Sequence, residues 1–478
     1  MDAFSRIQFH MQHGLALRGN GILEEASSEL LKAVSLAEER GRKARGKMDL
    51  GETVSGGSSI RAYRALVTTL SERTIRGEKT DEKFTSYGKD LASNAFYFAE
   101  ATKARTFLEA MANSAKGYSR RELPLKIRKE EGDILNQLSA IENQWEETYL
   151  KNEEAFKRMV KRKENLRKKL ASLVSILREK YPMYAALNYP QPVLPERLPL
   201  KDNEVLLEYA LGSDAGYIFK VSKAGVETVI RIPQGKEEIE RQVSEFVLPL
   251  HDLNTKDDFS LTSGNKLYKL LLEEALRGLP PDKDIIIIPD GILGLLPFEA
   301  LVATPGKDVK DAVFVGDRWK ISYYQSASVL ALNRTLKPSK AKGTDFKSVP
   351  EEKRVLTLTE ALDMKLDADT VALWGPVGTD FKSVPDYMSP ITGVGKTVEG
   401  EGVINFSRAF HYAGARGVVL SLWKVAPKET MAYMEDFYRY LKEGKSRIEA
   451  LILARRVAKS KHPNPCYWAP FILHGERF

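Results

Sequence analysis

A single cysteine, Cys466, stands among 478 residues. That excludes an internal disulfide and any multi-cysteine metal site. Histidine is also scarce: His10, His13, His251, His411, His462 and His474 are the full set, with none between residues 252 and 410. No apolar run approaches the ~18–20 residues of a spanning helix. The first residues lack the apolar core of a signal peptide, so a cytoplasmic chain with no membrane partner is expected. No Walker loop, dinucleotide fingerprint or metal-ligand spacing occurs, and no cofactor or metal is expected. Charge of neither sign is missing. Lys and Arg number 73 against 65 Asp and Glu, and the resulting +8 does not by itself point to nucleic acid. What is there is a globular composition, 43% apolar and 29% charged. The length suits two to four domains at ~100–200 residues each.

Residues 1–45 carry apolar positions at three- and four-residue spacing, among them Leu23, Ala26, Leu30, Leu31 and Val34, and predict helix broken near Gly14, Gly19 and Gly21. The stretch Leu23–Glu38 resembles one helix of a tetratricopeptide repeat; an ordinary helical hairpin is the alternative. A Gly/Ser loop at 46–58 precedes helices at Ile60–Glu72 and Gly88–Ala112. Residues 121–181 read as a charged helical pair. One seam is Leu135, Leu138, Ile141, Trp145 and Leu150; the other is Leu166, Leu170, Leu173, Leu177 and Tyr181. The basic run Lys157–Lys169 is read as a solvated helix face, with a nucleic-acid or acidic-partner surface as the second reading. Proline-punctuated residues 182–199 form a linker. Beyond it the pattern turns to strands at Glu204–Leu211, Ala215–Val221 and Val226–Ile232, then helices at Lys236–Leu250 and Gly264–Leu276. Ile285–Ile288 has no polar face and predicts a strand covered on both sides. Strands at Trp319–Tyr324, Ala368–Leu373 (also buried) and Val418–Leu422 alternate with helices at Ser326, Gly402–Tyr412, Thr430–Lys442 and Arg447–Ser460. The expected fold is therefore an α/β C-terminal domain, a mostly parallel sheet flanked by helices, behind an all-α region.

Several landmarks occur in a fixed order: Ile288-Pro-Asp-Gly, Leu296-Pro-Phe-Glu-Ala-Leu, Ile321-Ser-Tyr, Ser326-Ala-Ser-Val, Arg408-Ala-Phe, Ala413-Gly-Ala, Ser421-Leu-Trp-Lys-Val and Tyr467-Trp-Ala-Pro-Phe. This order resembles the CHAT domain, a caspase-like fold found behind tetratricopeptide repeats. The resemblance covers roughly residues 200–478. It extends to Phe98-Ala-Glu-Ala-Thr-Lys-Ala-Arg, which is similar to the helix that follows the repeats. It implies a division into a tetratricopeptide-like remnant at 1–48, a helical linker at 49–181, the proline-rich linker and a CHAT domain at 200–478. Family members are cysteine peptidases of the separase/caspase clan, some switched on by CRISPR effectors, while others act as scaffolds. The implied chemistry is a thiolate attacking a carbonyl with a histidine as base and acid.

The family's histidine ends a strand after the Ser-Ala-Ser-Val helix; its cysteine ends the next strand, before a Thr-Gly step. Neither residue is found here. No histidine lies between Ser326 and Leu373, and the cysteine position falls at Pro376, or at Pro390 when aligned back from Thr392-Gly393. Proline carries neither a nucleophile nor an N–H. The word Gly-Thr-Asp-Phe-Lys-Ser-Val-Pro occurs at 343–350 and again at 378–385, flanking that region. It can be encoded by GGGACGGACTTTAAGTCCGTCCC, whose arms are reverse complements, so a palindromic element inserted twice in the gene is the expectation; the codons at both sites test it. Cys466 lies between His462 and His474 but before the last strand, not at a strand end facing a cleft, and is read as a core residue. His474-Gly475 does not match the family's His-Gly step by topology. Asp290 and Glu299 read as turn and packing residues, and Trp423 as core. The implied function is a pseudopeptidase that binds a protein partner through its helical region. An active peptidase with a relocated nucleophile, and nucleic-acid association through the basic helix, are the alternatives.

Overall fold

The computed structural model describes residues 3–46, 57–114, 123–144, 153–181, 184–185, 189, 191–251, 259–335, 370–373, 401–423 and 427–477. Both copies of the repeated word, Pro376, Pro390, Trp145, Leu150 and most of the interval between Ser326 and Leu373 lie outside the described residues. The chain forms two compact units, Met1–Thr69 with Ala104–Pro192, and Leu70–Lys103 with Val193–Phe478.

The first unit is helical. Its elements are α1 (Ala3–Gly19), α2 (Leu23–Gly46), the first part of α3 (Gly57–Ile75), the second part of α4 (Leu91–Ser114), α5 (Leu125–Asn143) and α6 (Glu153–Lys180). Gly14 does not break α1, contrary to expectation. It lies inside the helix, where a Cβ would stand 2.7 Å from Leu30 Cγ of α2. The break falls later, at Gly21 with φ +78, a backbone region that favours glycine. The α6 seam is as predicted, with Leu166, Leu173 and Leu177 buried. On α5 Ile141 is buried and Leu138 packs half-buried, both as predicted, whereas Ile134 is buried in place of Leu135, which is half-buried. Glu131 is also buried, and it accepts hydrogen bonds from the hydroxyls of Tyr184 and Tyr189.

The second unit is built on one eight-stranded sheet, ordered β3-β2-β1-β4-β7-β10-β9-β8. The strands are β1 (Glu204–Leu211), β2 (Gly216–Ser222), β3 (Gly225–Ile232), β4 (Asp284–Ile288), β7 (Lys320–Tyr323), β8 (Thr370–Leu373), β9 (Gly417–Ser421) and β10 (Phe471–Gly475). The short pair β5 (Val302–Thr304) and β6 (Val313–Phe314) stands apart. Pairing is parallel at β1/β4, β4/β7, β7/β10 and β8/β9, and antiparallel at β1/β2, β2/β3 and β9/β10. Parallel pairs are thus the majority, as predicted, in a mixed sheet. Links too short for a crossover force β1–β3 into antiparallel pairs, and β1 then joins this meander to β4. Around the sheet lie α7 (Lys236–His251), α8 (Leu261–Tyr268, continued to Leu276 through a π-helical turn), α9 (Ala327–Thr335), α10 (Glu401–Tyr412), α11 (Pro427–Lys442) and α12 (Arg447–Lys461).

β4 is covered on both faces as predicted, every residue being buried. The strand predicted at Ala368–Leu373 is seen at Thr370–Leu373. Its first three residues are half-buried rather than buried, because among the described residues β8 pairs with β9 alone.

Candidate functional site

Thiol chemistry in this chain has one source, so the site is built from Cys466. Pro465–Trp468 is a single helical turn whose start is capped by Asn464, with the Cys466 N–H donating to its Oδ1 at 2.9 Å. The Trp423 indole N–H donates to the Cys466 carbonyl at 3.0 Å, and the Leu422 N–H to the Pro470 carbonyl at 2.8 Å. Trp423 is buried, as predicted. Cys466 therefore lies beside the carboxyl end of β9 and is a core residue, as read from the sequence. The buried indole N–H needs an acceptor, and this carbonyl supplies it. The residue itself is 1% exposed.

The imidazoles are engaged with other groups. His462 stacks on Tyr467. His474, on β10, is the register partner of Tyr323 on β7 and stacks on its ring. Its Nδ1 faces Gln325 Nε2 and Ser407 Oγ, each at 3.3 Å. Gln325 Nε2 can only donate, so His474 Nδ1 accepts and its proton sits on Nε2. Ser407 Oγ accepts from Gln325 Nε2 at 2.6 Å. His411 Nδ1 lies 2.9 Å from both the Ala415 carbonyl, an acceptor, and Asn333 Nδ2, a donor. Gly475 follows His474 because nothing larger fits: with φ +100, a Cβ would stand 2.4 Å from His411 Cε1. Burial holds the His411 imidazole down to about 4. Burial, then the neighbouring His411, hold His474 down to about 3. Both rings are neutral at pH 7. Ser407 and His474 match a hydroxyl and its base in composition alone, since Ser407 is fully buried.

Beside this cluster lies a second polar group that sequence reasoning did not resolve. It comes from the Phe98-Ala-Glu-Ala-Thr-Lys motif on α4. Glu100 accepts from the N–H groups of Ala327 and Ser328, both at 2.8 Å, and from the Ser328 hydroxyl at 2.7 Å. It thus satisfies the free donors that open α9. Lys103 Nζ donates to Glu208 Oε1 at 2.8 Å and to the Tyr209 carbonyl at 2.9 Å. Arg408 donates to the carbonyls of Lys103 and Gln325. Burial, then Glu100, push the Glu208 carboxyl well up against the pull of Lys103. The motif was visible in sequence; that its Glu caps a helix more than two hundred residues later was not.

Asp290 accepts from the Leu211 N–H at 2.7 Å, joining the loop after β4 to the end of β1. Glu299 is buried and pairs with Arg455 at 3.0 Å while accepting from the Tyr323 hydroxyl. Both are joined to the fold by these contacts, as their reading as turn and packing residues implies. Pro376 and Pro390, the sequence-derived stand-ins for the family cysteine, lie outside the described residues. Among the described residues no cluster of His, Cys, Asp and Glu could hold a metal, and no helix is long and apolar enough to cross a membrane.

The model of the CHAT domain matches residues 261–373 and 388–476. The break at 374–387 contains the second copy of the repeated word whole, whereas the first copy lies inside the match. Tetratricopeptide repeat protein 28 of Homo sapiens is 30% identical over 128 residues, 26% of this chain and 5% of that protein. The chain thus corresponds to about one-twentieth of that relative's length.

Proposed function

Because residues 261–476 carry a CHAT domain, we propose that this chain is a CHAT-family pseudopeptidase, a scaffold that retains the caspase-like sheet without its catalytic pair. One observation carries the reading: the single thiol, on Cys466, is buried in a helical turn beside β9 rather than presented to a cleft. The sequence supplies no other cysteine for any undescribed segment to present. The tetratricopeptide-repeat relative supports a protein-binding role, and we read the chain as a repeat-like remnant at 1–48, a linker of helices at 49–181, a proline-rich join at 182–199 and the CHAT domain from 200. The interruption of the family match over the second repeated word supports an insertion near the lost cysteine.

Native protein is treated with a peptide-linked thiol electrophile, and labelling is read by mass. The expected result is negligible labelling over hours, with full labelling of Cys466 after denaturation, since a buried thiol in apolar surroundings is inert. Stoichiometric labelling of the native protein, together with polypeptide cleavage that Cys466→Ala abolishes, would overturn the proposal in favour of a peptidase with a relocated nucleophile.

A further inference from the structure

Thirteen residues of α6 hold almost all of the chain's charge imbalance. Lys157–Lys169 contains eight cations against one anion, Glu164, a net of +7, while the whole chain is +8. A mild excess spread over 478 residues means little, but this excess is gathered on part of one helix. The Leu166, Leu173 and Leu177 seam of α6 is buried. At 100° per residue, Lys157, Arg158, Lys161, Arg162, Lys168 and Lys169 fall on one continuous face, roughly 140° wide and about 18 Å long. All six are exposed. Glu153 and Glu164 pair with Lys157 and Lys168 at 2.8 and 3.1 Å, and Arg162 reaches Gln137 at 3.3 Å. Such exposed contacts contribute little and exchange readily for an external anion.

We infer that this face of α6 binds the phosphate backbone of duplex nucleic acid without regard to sequence. The alternative occupant of a basic face is an acidic protein, and the composition of the face decides between them. Protein interfaces draw their energy from buried aromatic and aliphatic anchors. Within residues 157–169 the other position on this face is Asn165, which is exposed, and no aromatic lies on it. A polyphosphate needs no anchor, because release of condensed counterions supplies the free energy. The same lack of aromatics argues against single strands, whose binding uses base stacking. Binding at this face does not depend on whether the CHAT domain is catalytic.

The test is fluorescence polarisation of the full chain with two labelled, unrelated 20-base-pair DNA duplexes at 50 to 200 mM KCl. Six phosphate contacts predict a slope of about −5 in log affinity against log salt. The two duplexes should bind within about twofold of each other. The variant K157E/K161E/K168E, whose changes are all exposed, should keep its circular dichroism and melting temperature. It should bind more than about 30-fold more weakly, with a slope near −3. No binding at 50 mM KCl, or unchanged affinity in the variant, would overturn the inference. Equal affinity for poly-glutamate at matched charge would also overturn it and assign the face to an acidic protein.

Discussion

β4 and β8 belong to one sheet, and their sequences, Asp-Ile-Ile-Ile-Ile and Thr-Val-Ala-Leu, both read as interior strands. Ile286, Ile287 and Ile288 are wholly buried, whereas Thr370, Val371 and Ala372 are half-buried. The difference lies in neighbours. β4 has β1 on one side and β7 on the other, and among the described residues β8 has β9 alone. An apolar run records what a strand can bury, while its place in the sheet is set by segments far away in the chain. By the resemblance to the CHAT family, the absent cysteine is expected directly after the β8 segment, beside a strand less enclosed than β4.

The largest effect that would sharpen this contrast lies just beyond β4. Glu299 is enclosed with Arg455 and the Tyr323 hydroxyl. Removing one partner of a buried ion pair leaves an uncompensated charge, at a cost of about 3–5 kcal/mol. Glu299→Ala should lose that much in urea unfolding followed by tryptophan fluorescence. Four of the five tryptophans, Trp319, Trp374, Trp423 and Trp468, lie in the second unit, so the signal reports on it. A loss below about 1 kcal/mol would mean that water reaches Arg455 and that the centre is less closed than its burial indicates.

Next in size is the direct comparison of the two strands. Ile287→Ala in β4 should cost about 3 kcal/mol, the usual range for truncating a fully buried isoleucine. Val371→Ala in β8 should cost below about 1 kcal/mol, because much of its surface already meets solvent. Equal losses would break the contrast and show that β8 is covered by residues outside those described.

These two experiments also mark what the sequence conveyed. The bounds of β1, β2 and β3 were legible to within about a residue, because Gly212-Ser213-Asp214 and Lys223-Ala224-Gly225 punctuate them with turn residues. The core status of Ile285–Ile288 was legible for want of any polar face. Leu138 and Ile141 keep the predicted α5 seam, but its first residue is Ile134 rather than Leu135, since both are apolar and only packing chooses between them. Gly14 was misread as a break, since a glycine that admits Leu30 looks no different in sequence from one that ends a helix. At the site, the shortage of thiol and imidazole was a matter of counting and needed no structure. The meeting of His411 with Gly475, and of Glu100 with the start of α9, joins residues distant in the chain and leaves no periodic trace.

The smallest effect asks whether acid attacks the sheet at its middle or at β8. His474 pairs with Tyr323 of β7, well inside the strand order. Its imidazole is held at about 3 and that of His411 at about 4, both below the ordinary 6.5. The folded rings therefore stay neutral where unfolded rings take up protons. Their contribution is fully present above pH 6.5 and is lost as pH falls from there toward 4. Between pH 7 and pH 5 the loss should be about 2 kcal/mol per histidine. Glu208, raised by burial and by Glu100, acts in the opposite direction, since its protonated form is favoured in the fold. The readout is therefore a difference between proteins. His474→Gln, which keeps an acceptor for Gln325, should lower stability at pH 7 but reduce the loss on going to pH 5 by about 2 kcal/mol. The same pH 7-to-5 loss in both proteins would mean that His474 is not neutralised by burial, and that the acid limit of the domain is set away from its centre.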